Sequence, residues 1–223
     1  MFEGTKNALS GIWGALGGGA EWPEHVKITG DGDLPSVFAV SDLAGASVGA
    51  ASLAVAELIQ ARHGGHRRAS LDRRLASFWF GSSIRPQGWK LPAAWDPVAG
   101  DYQAADGWIK LHTNAPHHRA AALAVLGVPA EREQVARAAA VWAAEALESA
   151  IVQQGGCAAA MRGMAAWAVH PQGRAVTASP LLLTEPAPPG PAPRWTVPPD
   201  APLQGVRVLD LTRVLAGPVA TRF

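Results

Sequence analysis

The sequence predicts an α/β fold on three observations. Residues 44–62 are small and aliphatic with apolar positions at helical spacing, and alanine-rich periodic stretches fill much of 117–169. Two short apolar words, at 108–112 and 206–211, have the make-up of strands. With 223 residues, 48% of them hydrophobic and 17% charged, the chain can bury a core in one or two domains.

The elements follow in order. Residues 1–19 hold no unbroken apolar run, because Glu3, Lys6, Asn7 and Ser10 interrupt it, so no signal peptide is read there. Gly17, Gly18 and Gly19 read as a turn. Helix 44–62 carries Val48, Leu53, Val55, Leu58 and Ile59 on one face and ends at Gly64 and Gly65. Its small residues, Gly45, Ser47, Gly49, Ala50 and Ala51, allow another backbone or a ligand to come close. Residues 43–59 fall short of a membrane span and read as a buried helix. Residues 69–80 suggest a strand or a strand-to-helix passage, and 85–106, rich in Pro, Gly and Trp, an ordered loop.

Asp106 and Gly107 then open a strand over 108–112. Three helices are expected at 117–126, 131–153 and 157–169, with Pro129 opening the second and Gly127 and Gly155 as stops. Residues 185–202 are a proline-rich, extended linker. Beyond it, 206–211 should form an apolar strand, followed by Ala216, Gly217 and Pro218 as at the strand-to-helix turn of a nucleotide-binding α/β unit. One strand and a first helical turn cannot bury themselves, so this last part is expected to be the start of a truncated domain.

Composition narrows the function classes. Nineteen basic against eighteen acidic residues leave a net charge of +1, with only a short cluster at Arg67, Arg68, Arg73 and Arg74, so nucleic-acid binding is not suggested. The single cysteine, Cys157, excludes an internal disulfide and a cysteine-based zinc site, and fits a reducing, cytoplasmic setting. His63 and His66, or His112, His117 and His118, lack the further ligands a metal needs and read as surface histidines. Trp79, Trp89, Trp95 and Trp108 are either core or the lining of an apolar pocket. Arg162 and Arg174 carry no mark beyond ordinary surface arginines.

One set of words is more specific. Pro-Leu-Gln-Gly-Val-Arg-Val-Leu-Asp-Leu-Thr-Arg-Val-Leu-Ala-Gly-Pro at 202–218 resembles the opening of family III CoA-transferases. Ala-Leu-Ser-Gly at 8–11 and the helix led by Ser41 and Asp42 resemble the middle of that family, and Tyr102, Asp106-Gly107-Trp108-Ile109 and His170-Pro171-Gln172 its later segments. The family's beginning thus follows its middle and end, as in a fused or rearranged member: 1–184 the middle and C-terminal-like part, 185–202 the linker, 203–223 the start of a Rossmann-like domain. The fold this implies is of the CoA-transferase family III type, a Rossmann-like unit with a helix-rich part, here incomplete.

The resemblance implies transfer of coenzyme A from an acyl-CoA thioester to a carboxylic acid through an aspartyl-CoA intermediate, with no permanently bound cofactor. By position Asp42 is the nucleophile, and Val214 and Ala216 contact CoA. It also implies an interlocked homodimer, with neither nucleic acid nor membrane as partner. Ala46 stands where the family has glycine, with Gly45 one place early, and Leu215 stands where some members carry an active-site glutamine. The residues themselves leave Asp42 open to a plainer role, as the N-cap of its helix. Two other functions stay open: an acyl-CoA racemase, using the aspartate beside a histidine, and a non-catalytic half that completes a dimer.

Overall fold

The computed structural model describes residues 2–79, 86–185, 188–190, 195–212 and 216–221. It is a mixed α/β structure and divides into two compact units, residues 1–85 with 180–223, and residues 86–179.

The first unit begins with helix α1 (Glu3–Ala15). Thr5, Leu9, Ile12 and Trp13 are its buried side, at one face of a 3.6-residue period. A turn at Gly17, whose φ is 80°, ends it, as expected of the glycine triplet. A 3-10 turn at Trp22–His25 leads into strand β1 (Val26–Thr29). Helix α2 (Val40–His63) follows, then strand β2 (Ala69–Asp72), which pairs parallel to β1 with Val26 opposite Ala69 and Ile28 opposite Leu71. Parallel strands need such a crossover, so β1, α2 and β2 form a βαβ unit.

Helix α3 (Arg73–Phe78) starts where β2 ends, its N-terminus capped by the Asp72 carboxylate accepting from the Leu75 N–H at 3.0 Å. The strand-to-helix passage anticipated over 69–80 is therefore present, up to residue 79. In length and mean hydropathy, 1.4 over its most apolar window, α2 would suit a membrane span, yet α1, β2 and α3 pack against it. The core between them holds Leu9, Trp13, Trp22, Ala46, Leu53 and Leu71.

α1 and α2 run side by side in the same direction, with Thr5 against Asp42 and Gly45, and Leu9 against Gly49. A Cβ on Gly45 would stand 2.9 Å from Thr5 Cγ2, and one on Gly49 would stand 3.3 Å from Leu9 Cδ1. The small residues of α2 thus serve close helix packing.

Residues 206–211 form no strand. Val208, Leu209 and Leu211 are 70, 82 and 85% exposed, and among the described residues none offers this segment a ladder, which a strand requires. Asp210 organises it instead, its carboxylate accepting from the Thr212 N–H at 2.8 Å and the Thr221 hydroxyl at 2.7 Å at the entry and end of a short helix α9 (Ala216–Ala220). In the proline-rich stretch, Val197 is buried and its carbonyl accepts from His63 Nε2 at 2.5 Å.

The second unit is a three-stranded antiparallel sheet, β3 (Gly100–Gln103), β4 (Trp108–Leu111) and β5 (Ala158–Ala160), in that order, packed with helices α4 (Pro116–Leu126), α5 (Arg132–Ala139) and α6 (Ala144–Gln153). Tyr102, Ile109, Leu111, Val135, Leu147 and Ile151 form its core. Three expectations change here. The loop over 85–106 contains β3, because the Asp106–Gly107 turn brings it against β4.

The helix expected over 131–153 breaks into α5 and α6. There the Trp142 carbonyl accepts from the Ala105 N–H at 2.8 Å, and the Asp106 carboxylate caps the Ala144 N–H at 2.7 Å. Tertiary hydrogen bonds override alanine's helical preference. The helix expected over 157–169 starts instead as β5, since the open edge of β4 supplies a ladder to Ala158–Ala160. It becomes helical only at α7 (Met164–Val169), followed by α8 (Pro171–Ala178), whose N-terminus the His170 ring caps at Gln172 N, 3.2 Å away.

Candidate functional site

The densest polar cluster of the first unit surrounds Asp42. This residue is the third of α2, whose N-cap is Ala39, so its side chain is not the N-cap. The plainer role anticipated for it is replaced by a tertiary one. Asp42 Oδ1 accepts from the Thr5 hydroxyl at 2.6 Å and from Arg73 Nη2 at 2.9 Å and Nε at 3.2 Å. Among the described residues nothing donates to Oδ2, which lies over Gly4, where a Cβ would come within 2.3 Å of it.

Arg73 is held by position. As the first residue of α3 it turns inward beneath the α1–α2 pair, leaving its side chain 7% exposed. It also donates from Nε to Thr5 Oγ1 at 2.9 Å and from Nη1 to the Gly32 carbonyl at 2.7 Å, and it pairs with Asp33. Gly32, at φ 99°, turns the loop after β1 so that its carbonyl and the next carboxylate face the guanidinium. Burial works against the Arg73 charge, but the bonds and charges of Asp33 and Asp42 outweigh it and raise its pKa. The Thr5 hydroxyl bond, then the bond and charge of Arg73, hold Asp42 below the usual carboxylate range against the opposing effect of burial.

Two helix N-termini meet at this carboxylate. Thr5 lies in the first turn of α1, a helix of 13 residues, and Asp42 in the first turn of α2, a helix of 24. Among the described residues the N–H groups of Ser41 and Asp42 have no backbone acceptor. Helix N-termini carry partial positive charge and unpaired donors. The place therefore favours a carboxylate and any negative charge that develops beside it.

Gly4→Ala probes the free oxygen. Alanine suits a helix better than glycine by up to about 1 kcal/mol, but its methyl group would displace Oδ2. The expected outcome is a chain whose melting temperature is kept while Asp42 reacts more slowly with carboxyl-directed carbodiimide. Equal labelling of both forms would contradict the arrangement.

The other residues singled out in the sequence lie elsewhere. Val214 is outside the described residues. Ala216 is exposed at the first residue of α9. Ala220 of the same helix lines a cavity with Val55 and Ile59, 13–17 residues along α2 from Asp42, or about 20–25 Å at 1.5 Å per residue. The structure does not bring Ala216 into the cluster.

In the second unit, Tyr102 is buried with its hydroxyl donating to the Val98 carbonyl at 2.8 Å. Trp89, Trp95 and Trp108 are half or more exposed. Cys157 precedes a strand rather than opening a helix. Arg162 is paired with Glu145 and Glu148 at 3.0 and 2.8 Å. Among the described residues no group of His, Cys, Asp and Glu could hold a metal, and no histidine bonds to Asp42. Thr5, Gly4 and Asp33 were not picked out by the sequence, and Arg73 only as a member of the basic cluster with Arg67, Arg68 and Arg74. The one available signal was that Arg73 immediately follows a strand that ends in a capping aspartate.

No family model matches the chain, and no curated protein matches it in sequence. Solved structures do resemble it in fold. A crystal structure of a hypothetical protein, Rv3272, from Mycobacterium tuberculosis is similar over 79% of this chain and 68% of its own, with a TM-score of 0.52 and 14% identity. An orthorhombic form of Rv3272 is similar over 85% of this chain and 74% of its own, with a TM-score of 0.52 and 13% identity. An aspartate-to-alanine mutant of the same protein matches 65% of this chain and 44% of its own, with a TM-score of 0.50 and 15% identity.

Proposed function

We propose that this chain acts on acyl-CoA thioesters, with Asp42 as the carboxylate that accepts the acyl group during transfer of coenzyme A to a second carboxylic acid. The observation that carries the reading is the state of that carboxylate. One oxygen is fixed by Thr5 and Arg73, the other has no donor among the described residues, and two helix N-termini converge on the carboxylate. The order of family-like words around Asp42 adds the substrate class.

In the proposed reaction Oδ2 attacks the thioester carbonyl carbon, the C–S bond breaks, and CoA leaves as thiolate with the bonding pair. The thiolate then attacks Cγ of Asp42 in the mixed anhydride, releasing the first acid as its carboxylate. The second acid's carboxylate attacks the aspartyl-CoA carbonyl, expelling the thiolate. That thiolate takes the new acyl group and frees Asp42. No net proton is consumed, and each step breaks one activated acyl bond while making another.

The N–H groups of Ser41 and Asp42, without a backbone acceptor among the described residues, are suited to receive the negative charge on each tetrahedral carbonyl oxygen. The low pKa of Asp42 keeps it ionised and makes it a good leaving group from the anhydride. The racemase alternative would use a histidine beside Asp42, and among the described residues none bonds to it. A purely structural ion pair is favoured by the burial of Arg73 alone, and the same experiment separates it.

The full chain is incubated with acetyl-CoA, quenched in acid and weighed intact. A CoA or acetyl adduct that hydroxylamine releases, and that Asp42→Ala lacks while folding normally, is the expected result. No adduct on a folded chain, or one that survives Asp42→Ala, would overturn the reading.

A further inference from the structure

The first unit holds a cavity of about 540 Å³ at the far end of α2 from Asp42. Its apolar wall is one face of that helix, with Ala51, Val55 and Ile59 in an i, i+4 row, joined by Leu203 and Ala220 from the C-terminal stretch. Apart from Ser52, whose hydroxyl donates to the Val48 carbonyl at 2.9 Å, its polar residues come from one segment, Arg67, Arg68 and Ser70, where the chain enters β2. We propose that this cavity is a second ligand site, which takes a small amphipathic anion. The apolar body lies against α2, and one carboxylate or phosphate head pairs with the two guanidinium groups.

Charge commits the ligand to an anion. No aspartate or glutamate lines the cavity, and among the described residues neither arginine is in an ion pair. The Arg67 backbone N–H donates to the Gln60 side chain at 3.2 Å, but its Nε is buried with no hydrogen-bond partner among the described residues. A buried charged donor without a partner is costly, and an anionic head removes that cost. The planar fork of a guanidinium matches both carboxylate and phosphate.

The α2 face commits the rest of the molecule. A purely polar anion would leave that apolar wall in water, and a neutral apolar molecule would leave the guanidinium groups unpaired. Only a ligand with both parts satisfies both walls. The volume falls among those of small-molecule sites, roughly 300–1,000 Å³. Val55 lies thirteen residues along α2 from Asp42, or about 20 Å. Neither Thr5, Asp42 nor Arg73 lines the cavity, so the site is separate from the carboxylate cluster.

The test uses octanoate, octyl phosphate and octanol as probes of the full chain by calorimetry. At least one of the two anions should bind at least about tenfold more tightly than octanol, which has the same chain without the charge. The tighter anion identifies the head group. Arg67→Gln combined with Arg68→Gln should bring that anion down to the level of octanol. Octanol itself should bind this variant as it binds the parent, which shows that the cavity is intact. Val55→Phe fills the apolar wall and should weaken all three probes. Coenzyme A should displace none of them.

Anions that bind no better than octanol, or that bind the double arginine variant as well as the parent, would overturn the proposal. Binding that ignores Val55→Phe would do the same. Displacement by coenzyme A would also overturn it, by making the cavity part of a thioester site rather than a second one. None of these outcomes depends on whether Asp42 reacts.

Discussion

Arg73→Met is expected to lower the melting temperature of the first unit by about 10–20 °C, the equivalent of about 3–5 kcal/mol. Methionine keeps much of the side-chain volume, so the loss would come from charge and hydrogen bonding rather than from a cavity. The parent guanidinium is 7% exposed and serves Thr5, Asp42, Asp33 and the Gly32 carbonyl together. Without it Thr5, fully buried, and Asp42, 24% exposed, keep each other but lose their common donor. An uncompensated carboxylate then lies between two helices.

Arg73→Lys should fall between, because a single ammonium cannot reach four acceptors spread around a planar fork. Trp13 and Trp22, both in the first unit's core, report the transition by fluorescence. A folded chain with unchanged melting temperature would mean that the cluster is incidental to stability. Adding Asp42→Leu to Arg73→Met should restore much of the loss, since a pair replaced by apolar side chains no longer carries a buried charge.

The contrast between α1 and α2 explains what was legible in the sequence. α2 was legible because its apolar spacing runs for more than five turns and ends at two glycines. α1 was not, because Glu3, Lys6, Asn7 and Ser10 read only as interruptions of an apolar run. In the structure they are its solvent face, opposite Thr5, Leu9, Ile12 and Trp13. Both views use the same residues, and only the packing partner decides between them.

Alanine explains two further departures. It is neutral enough that three residues at 158–160 join a sheet when an edge is offered, and that a run through 140–143 stops when the Asp106 turn captures it. The strand expected at 206–211 fails for the opposite reason: its β-forming residues find no ladder among the described residues. At the site, the position of Asp42 in a first helical turn was readable. Its partners were not, because Thr5 and Arg73 come from 37 and 31 residues away, and Arg73 looks like the rest of the Arg67–Arg74 cluster until β2 directs it inward.

Asp42→Asn is expected to abolish the hydroxylamine-sensitive adduct, by at least about a thousandfold in rate, as loss of a covalent nucleophile does. Asparagine can still accept from Thr5 through its carbonyl, so the arrangement survives while the charge and the attacking oxygen are lost. Acid separates the parent from this variant in a second way. The folded pKa of Asp42 lies below its ordinary 3.8, so the stability it contributes is fully present above that value and is lost as pH falls through the folded value. Between the two values the unfolded chain takes up a proton that the folded one refuses. The parent's melting temperature should therefore drop below pH 3.8 by more than that of Asp42→Asn, which has no such group to titrate. The first acylation step should hold its rate down to the same range, because only ionised Asp42 attacks. A rate that already halves above pH 3.8 would place the proton on a different, unpaired carboxylate and move the nucleophile away from Asp42.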